Sequence, residues 1–204
     1  MAKVKMSKKS TKIDMTAMCD VAFLLLSFFV MTSTAKLPEP LPVDTPASTR
    51  ETKLPETDLV TITVGDGKVF FGMVGQDIRK DALGRISEKY KVTFTEDEAK
   101  RFSLIDGFGV PVGNLKQIIN LSGEERNKEG LQPGIPYDSI DNQLKEWILA
   151  ARYATRDLHN TELKIAIKGD AKEEYPTVKK IIDILQDQKI NKFFLVTGLR
   201  SEDF

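Results

Sequence analysis

The chain has 204 residues, with 30 basic and 30 acidic side chains and a formal net charge of zero. That length allows one membrane helix and one modest folded domain. Its single cysteine, Cys19, excludes an intrachain disulfide, so any folded region must rest on a packed core or on oligomerisation.

The charge is unevenly spread. Lys3, Lys5, Lys8, Lys9 and Lys12 stand in the first 12 residues with no acid among them. Met15 to Ala35 follows as the one membrane-length apolar stretch, about 21 residues against a hydrocarbon core of about 30 Å. Lysines directly before such a stretch mark the cytoplasmic side. Residues 1–12 are therefore expected as a cytoplasmic tail, 13–35 as a transmembrane helix, and the rest of the chain across the membrane. A cleaved signal peptide also has a basic start and an apolar core. The long apolar core, the acid inside it and the loose cleavage match at Ser33-Thr34-Ala35 favour a retained anchor.

That acid is Asp20, the one formally charged side chain of the stretch. A carboxylate in a membrane helix costs about 2.5–3.5 kcal/mol and normally faces a protein interior or a polar cavity. At about 100° per residue, Thr16 lies about 40° from Asp20, Ser27 about 20° and Thr34 about 40°, on one side of the helix. Small hydroxyls in membranes often serve only helix–helix hydrogen bonding. For Ser27 and Thr34 that account and a part in proton passage both stand. Asp20 is different, because a purely structural contact would not require an ionisable group. A carboxyl that is charged in one environment and neutral in another can couple proton flow to helix motion, and a proton crossing the membrane releases about 2.3 kcal/mol per 100 mV. One helix encloses no path, so larger partners must complete it.

Residues 36–58 hold Pro38, Pro40, Pro42, Pro46 and Pro55 and show almost no apolar periodicity. Such a linker is extended and semi-rigid, about 3 Å per residue, and reads as a tether. The folded domain, 59–204, opens with Val60, Ile62 and Val64 alternating with threonines; Gly65-Asp66-Gly67 makes a turn and Lys68–Phe71 returns as a second strand. No phosphate-loop spacing accompanies those glycines.

Ile78–Tyr90 reads as a helix with a weak stripe of Ile78, Ala82 and Ile86, and Thr95-Glu96-Asp97-Glu98 has capping-box spacing. Leu115–Leu121 reads as a short helix, Ser122–Pro136 as a polar loop, and Asn142–Ala154 as a helix with Leu144, Ile148 and Ala151 inward and Trp147 beside them. Leu163–Lys168 alternates as a half-buried strand, broken by Gly169-Asp170. A helix follows with Val178, Ile181, Ile182 and Leu185 on one face, then a last strand in Lys192–Gly198. Strand, helix and strand in that order suit an α+β domain, a mixed sheet with helices packed on one face.

Enzymatic chemistry finds little support. His159 follows a helix in a polar context and reads as a surface residue, and no metal-ligand spacing appears. The acidic runs at 96–98 and 173–174 read as solvated helix starts. No cofactor and no nucleic-acid partner are expected.

The run Ile13-Asp14-Met15-Thr16-Ala17-Met18-Cys19-Asp20-Val21-Ala22-Phe23-Leu24-Leu25-Leu26-Ser27-Phe28-Phe29 resembles the ExbD/TolR family of bacterial inner-membrane transport proteins. Ala17 stands where the family has proline, and Cys19 where it has valine. A second match runs from Ile165 to Gly198, through Gly169-Asp170, Tyr175 and Phe194-Leu195-Val196-Thr197. Residues 72–141 are much longer than the family's usual connection and look like an insertion into its periplasmic domain.

The resemblance implies a motor subunit driven by the proton motive force. Two copies of the helix would sit in the pore of an ExbB-like multi-helix pentamer, with Asp20 as the proton-linked residue. The periplasmic domains would dimerise and work with a TonB-like protein to energise outer-membrane transport. A TolR-like role in envelope integrity with cell-wall contact, a gliding or secretion motor, and a passively anchored scaffold are the alternatives.

Overall fold

The computed structural model describes residues 15–33, 41–48, 53–128, 130–138 and 141–199. The chain divides after Leu37 into two compact units. In the first, α1 (Met15–Thr32) is the described element.

The second unit is built on a five-stranded sheet of mixed direction. Strands β2 (Leu59–Gly65) and β3 (Lys68–Met73) form the expected hairpin, with Val60 opposite Met73, Ile62 opposite Phe71 and Val64 opposite Val69. Asp66 and Gly67 both take positive φ, 51° and 69°, as a two-residue turn matched to strand twist requires. On the far side of β2 lies β5 (Lys164–Gly169), parallel to it, and then β6 (Phe194–Val196), parallel to β5. The parallel pair β5–β6 needs a crossover, which α7 (Tyr175–Asp187) supplies with Pro176 in its first turn. At the other edge β4 (Gly107–Phe108) pairs with β3, giving the order β4-β3-β2-β5-β6.

Alternation decides which face is covered. Val60, Ile62, Val64, Phe71, Ile165 and Ile167 point to one side and are at most 1% exposed. The intervening Thr61, Thr63 and Lys168 are half-buried on the other. Helices α2 (Gln76–Tyr90) and α6 (Gln143–His159) join α7 on the apolar side: α2 with Ile78, Ala82, Leu83 and Ile86, and α6 with Leu144, Trp147, Ile148 and Ala151. On α7 the buried set is Ile181, Ile184 and Leu185; Ile182 is only half-buried, so that face is rotated slightly from the expected one.

The segment 72–141 is interlocked with this core. Helix α3 (Glu96–Ser103) starts at the expected capping box, Thr95 with Glu98, and sends Phe102 inward. Phe102 and Phe108 of this segment lie against Trp147 with ring centroids 5.9 and 4.7 Å away, and Phe71 of β3 completes the group at 6.3 Å. A 3-10 turn (Val112–Asn114) runs into α4 (Leu115–Asn120), and the stretch expected as a loop contains a short helix, α5 (Gly123–Arg126), with its own capping box, Ser122 with Glu125. The following chain covers the β3–β4 edge. Gly109 donates to Gln132 Oε1, Gly134 donates to Gly109, and Ile135 donates to Val69, at 2.6–2.8 Å.

Part of the proline-rich stretch is not free. Strand β1 (Ala47–Ser48) pairs in parallel with β7 (Gly198–Leu199). Just before it, Leu41 and Val43 pack over Gly65, and the Asp44 carbonyl accepts from Ala171 at 2.7 Å. Extended backbone without a regular partner suits strand pairing as well as it suits a spacer, so composition alone does not separate the two.

Candidate functional site

Helix α1 is long and apolar enough to cross a membrane: its 18 residues span about 27 Å at 1.5 Å per residue. Within its own unit it buries none of its side chains, Leu24, Leu25, Leu26, Phe28 and Phe29 included. Such a surface suits a lipid or membrane-helix environment better than water.

Asp20 lies within the second turn. Thr16 and Ser27 stand on its side of the helix, as the spacing requires, because the helix is unbroken from Met15 to Thr32. Ser27 Oγ donates to the Leu24 carbonyl of its own helix at 2.9 Å. That bond satisfies the hydroxyl without any partner helix, and a role in proton passage would require breaking it. Thr32 does the same toward Phe28 at 2.7 Å. It sits about 120° around from Asp20 and was not part of the expected stripe. Thr34, like residues 1–14, lies outside the described residues.

The folded unit carries a second charged constellation, which the sequence reading missed. His159 ends α6 and bridges two carboxylates: Nδ1 meets Asp58 Oδ1, and Nε2 meets Asp77 Oδ2 at 2.8 Å. Thr161 donates to the second oxygen of Asp58 at 3.0 Å. The bonds to Asp58 and then Asp77 hold the imidazole above its ordinary value. Asp77 is pushed up by burial, but the bond from His159 and the Ile78 amide outweigh this and hold it below the usual carboxylate range. The partners stand 101 and 82 residues away in sequence, a separation that no local pattern reveals.

Arg79 also escapes sequence reading. Its guanidinium, in a residue 7% exposed, donates to the carbonyls of Met73 at 2.6 Å and Ser103 at 2.7 Å and to Asp106 Oδ1 at 2.7 Å. It ties the ends of β3 and α3 to the approach to β4. Among the described residues no group of His, Cys, Asp and Glu could hold a metal ion.

No curated protein and no solved structure matches the chain. The family model described as biopolymer transport protein ExbD/TolR matches residues 6–199, through α1, the sheet and the whole of 72–141. Together with the apolar α1, that match points to a single-pass membrane protein with a transport role. The chain belongs to the ExbD/TolR family of biopolymer transport proteins.

Proposed function

We propose that this chain is an ExbD-like, proton-motive-force-coupled subunit of a bacterial inner-membrane motor, with Asp20 as its proton-linked group. The observation that carries the reading is an ionisable side chain on an 18-residue apolar helix that buries none of its side chains within its own unit. Burying that surface together with a carboxylate requires neighbours with polar groups at the same depth. An ExbB-like multi-helix protein enclosing two copies of α1 meets that need.

In this reading residues 1–12 are cytoplasmic, 13–35 cross the membrane, 36–58 link, and 59–204 work in the periplasm with an insertion at about 72–141. The five lysines of the tail support the orientation. A TonB-like protein is the downstream partner. Strand β6 ends the described sheet, so its outer edge supports pairing with a second copy. Thr16 and Ser27 stand on the Asp20 side of α1, which in this reading turns toward the proton path, and Thr34 continues the same spacing in the sequence.

The test is Asp20→Asn in the intact motor. Normal assembly with loss of energised outer-membrane transport is expected, because the amide cannot exchange a proton; full transport would overturn the coupling role. A TolR-like, gliding or secretion motor shares the same residue and would fail in envelope integrity or motility instead. A passive scaffold would survive replacement of residues 13–34 by an unrelated apolar helix, whereas the motor would not.

A further inference from the structure

His159 is the one histidine in the chain, and each of its ring nitrogens faces a carboxylate. A neutral imidazole carries one N–H, so its other nitrogen would point a lone pair at an acceptor. The imidazolium alone satisfies Asp58 and Asp77 together.

The three residues come from separate parts of the unit. Asp58 closes the proline-rich stretch at a left-handed backbone position, φ 56°, and its carbonyl accepts from Lys164 at the start of β5 at 2.8 Å. Asp77 stands in the first turn of α2, where the helix favours a negative charge. His159 stands in the last turn of α6, where a helix favours a positive one. Two carboxylates and the C-terminal end of α6 thus favour one protonated state.

We propose that His159 is a proton-operated clasp that pins the end of the linker to the first helix of the 72–141 segment and releases it when the imidazole loses its proton. Deprotonation leaves one carboxylate facing a lone pair. Asp77, the more exposed of the two, is the partner that lets go: its side chain is 53% exposed, against 11% for Asp58. The charged groups nearest in sequence to the three residues on the elements meeting here are Glu56 of the linker, Lys80 and Asp81 of α2, Arg156 and Asp157 of α6, Glu162 before β5 and Lys164 at its start. Asp81 and Asp157 are held by Arg85, which leaves Asp58 and Asp77 as the acids against the ring. The sign follows from the raised histidine. The clasp is fully closed below the ordinary histidine range and opens as pH rises through the higher folded value. This inference goes beyond the motor reading and does not depend on it.

The single histidine makes the test direct. The full chain in nanodiscs, labelled with ¹⁵N-histidine, reports both ring nitrogens by NMR, while hydrogen exchange follows residues 53–58 and the first turn of α2. Both nitrogens are expected to stay protonated past the ordinary histidine value. Exchange in the two segments, corrected for its intrinsic pH dependence, should rise several-fold as the ring titrates. Asp77→Asn should lower the titration midpoint, and His159→Gln should abolish the pH-linked step in exchange. Titration at or below the ordinary value, a midpoint indifferent to Asp77→Asn, or an exchange step that survives His159→Gln would each overturn the clasp.

Discussion

The backbone amide of Asp44 donates to the carboxylate of Asp170 at 3.2 Å across 126 residues of sequence. Asp170 uses its other oxygen to accept from the Lys172 amide at 2.8 Å, so one side chain orders its own loop and holds the linker against it. Asp170→Ala removes both acceptors. Because the site is partly exposed, water replaces some of what is lost, and the expected cost is about 1 kcal/mol. Faster hydrogen exchange at residues 43–48, with the sheet unchanged, is the measurement that checks it.

Arg79 makes a stronger case. Its three bonds converge on two carbonyls and the Asp106 carboxylate, and a lysine, with one compact ammonium, cannot reproduce that fork. Arg79→Lys is expected to cost about 2–3 kcal/mol in urea unfolding, since it strands buried acceptors. Asp106→Asn keeps an acceptor on an exposed side chain and should cost less than half of that.

What was legible in the sequence tracks the range of the interactions. The β2–β3 hairpin follows from period-two alternation and a turn that needs positive φ, both written within about 15 residues. Helices α3 and α6 follow from a capping box and an apolar face. Nothing local tells Arg79 from an ordinary helix-surface arginine, or His159 from the solvated residue it was expected to be, because their partners come from other elements. On α1 the polar stripe was legible because a helix maps sequence onto angle, but the bond from Ser27 to Leu24 depends on its rotamer.

The α3 capping box gives a prediction with a defined pH sign. The Thr95 amide, donating to the Glu98 carboxylate at 2.8 Å, holds Glu98 below its usual range, ahead of the small opposing effect of burial. The contribution of the box is therefore present above the ordinary glutamate value and is lost as pH falls through the lower folded one. Thr95→Ala should cost about 1 kcal/mol at neutral pH. The cost of Glu98→Gln should shrink as the solution is acidified, and pH-dependent urea midpoints for the two variants separate the hydroxyl from the carboxylate.

Gly109 tests close packing rather than backbone conformation. A Cβ there would lie 2.4 Å from the Phe70 ring, and Phe70 is 3% exposed with little room to retreat. Gly109→Ala is therefore expected to destabilise by about 1–3 kcal/mol as an overpacked site. Phe70→Leu should recover part of that loss in the double variant, because the residues couple only through the clash. Additive effects of the two changes would contradict it.

The segment 72–141 is not separable from the rest of the folded unit. An insertion that folds by itself could be excised, leaving a smaller domain behind. Here Phe102 and Phe108 of the segment pack directly on Trp147 of α6, and Phe108 also meets Phe71 of β3 at 6.2 Å. Removing the segment would bare an indole that is fully buried and uncover the β3 edge that β4 pairs with and that Ile135 bonds at Val69. Losing two buried phenylalanines alone costs about 3–5 kcal/mol each, comparable to the whole stability of a small domain. A chain lacking residues 75–140, rejoined by a short glycine-serine turn, is expected to be unfolded outside the membrane helix. Trp147 is the only tryptophan, so its fluorescence decides the matter. Emission at the wavelength of a solvated indole is the expected result, and a blue-shifted, cooperatively melting signal would show that the segment is separable after all.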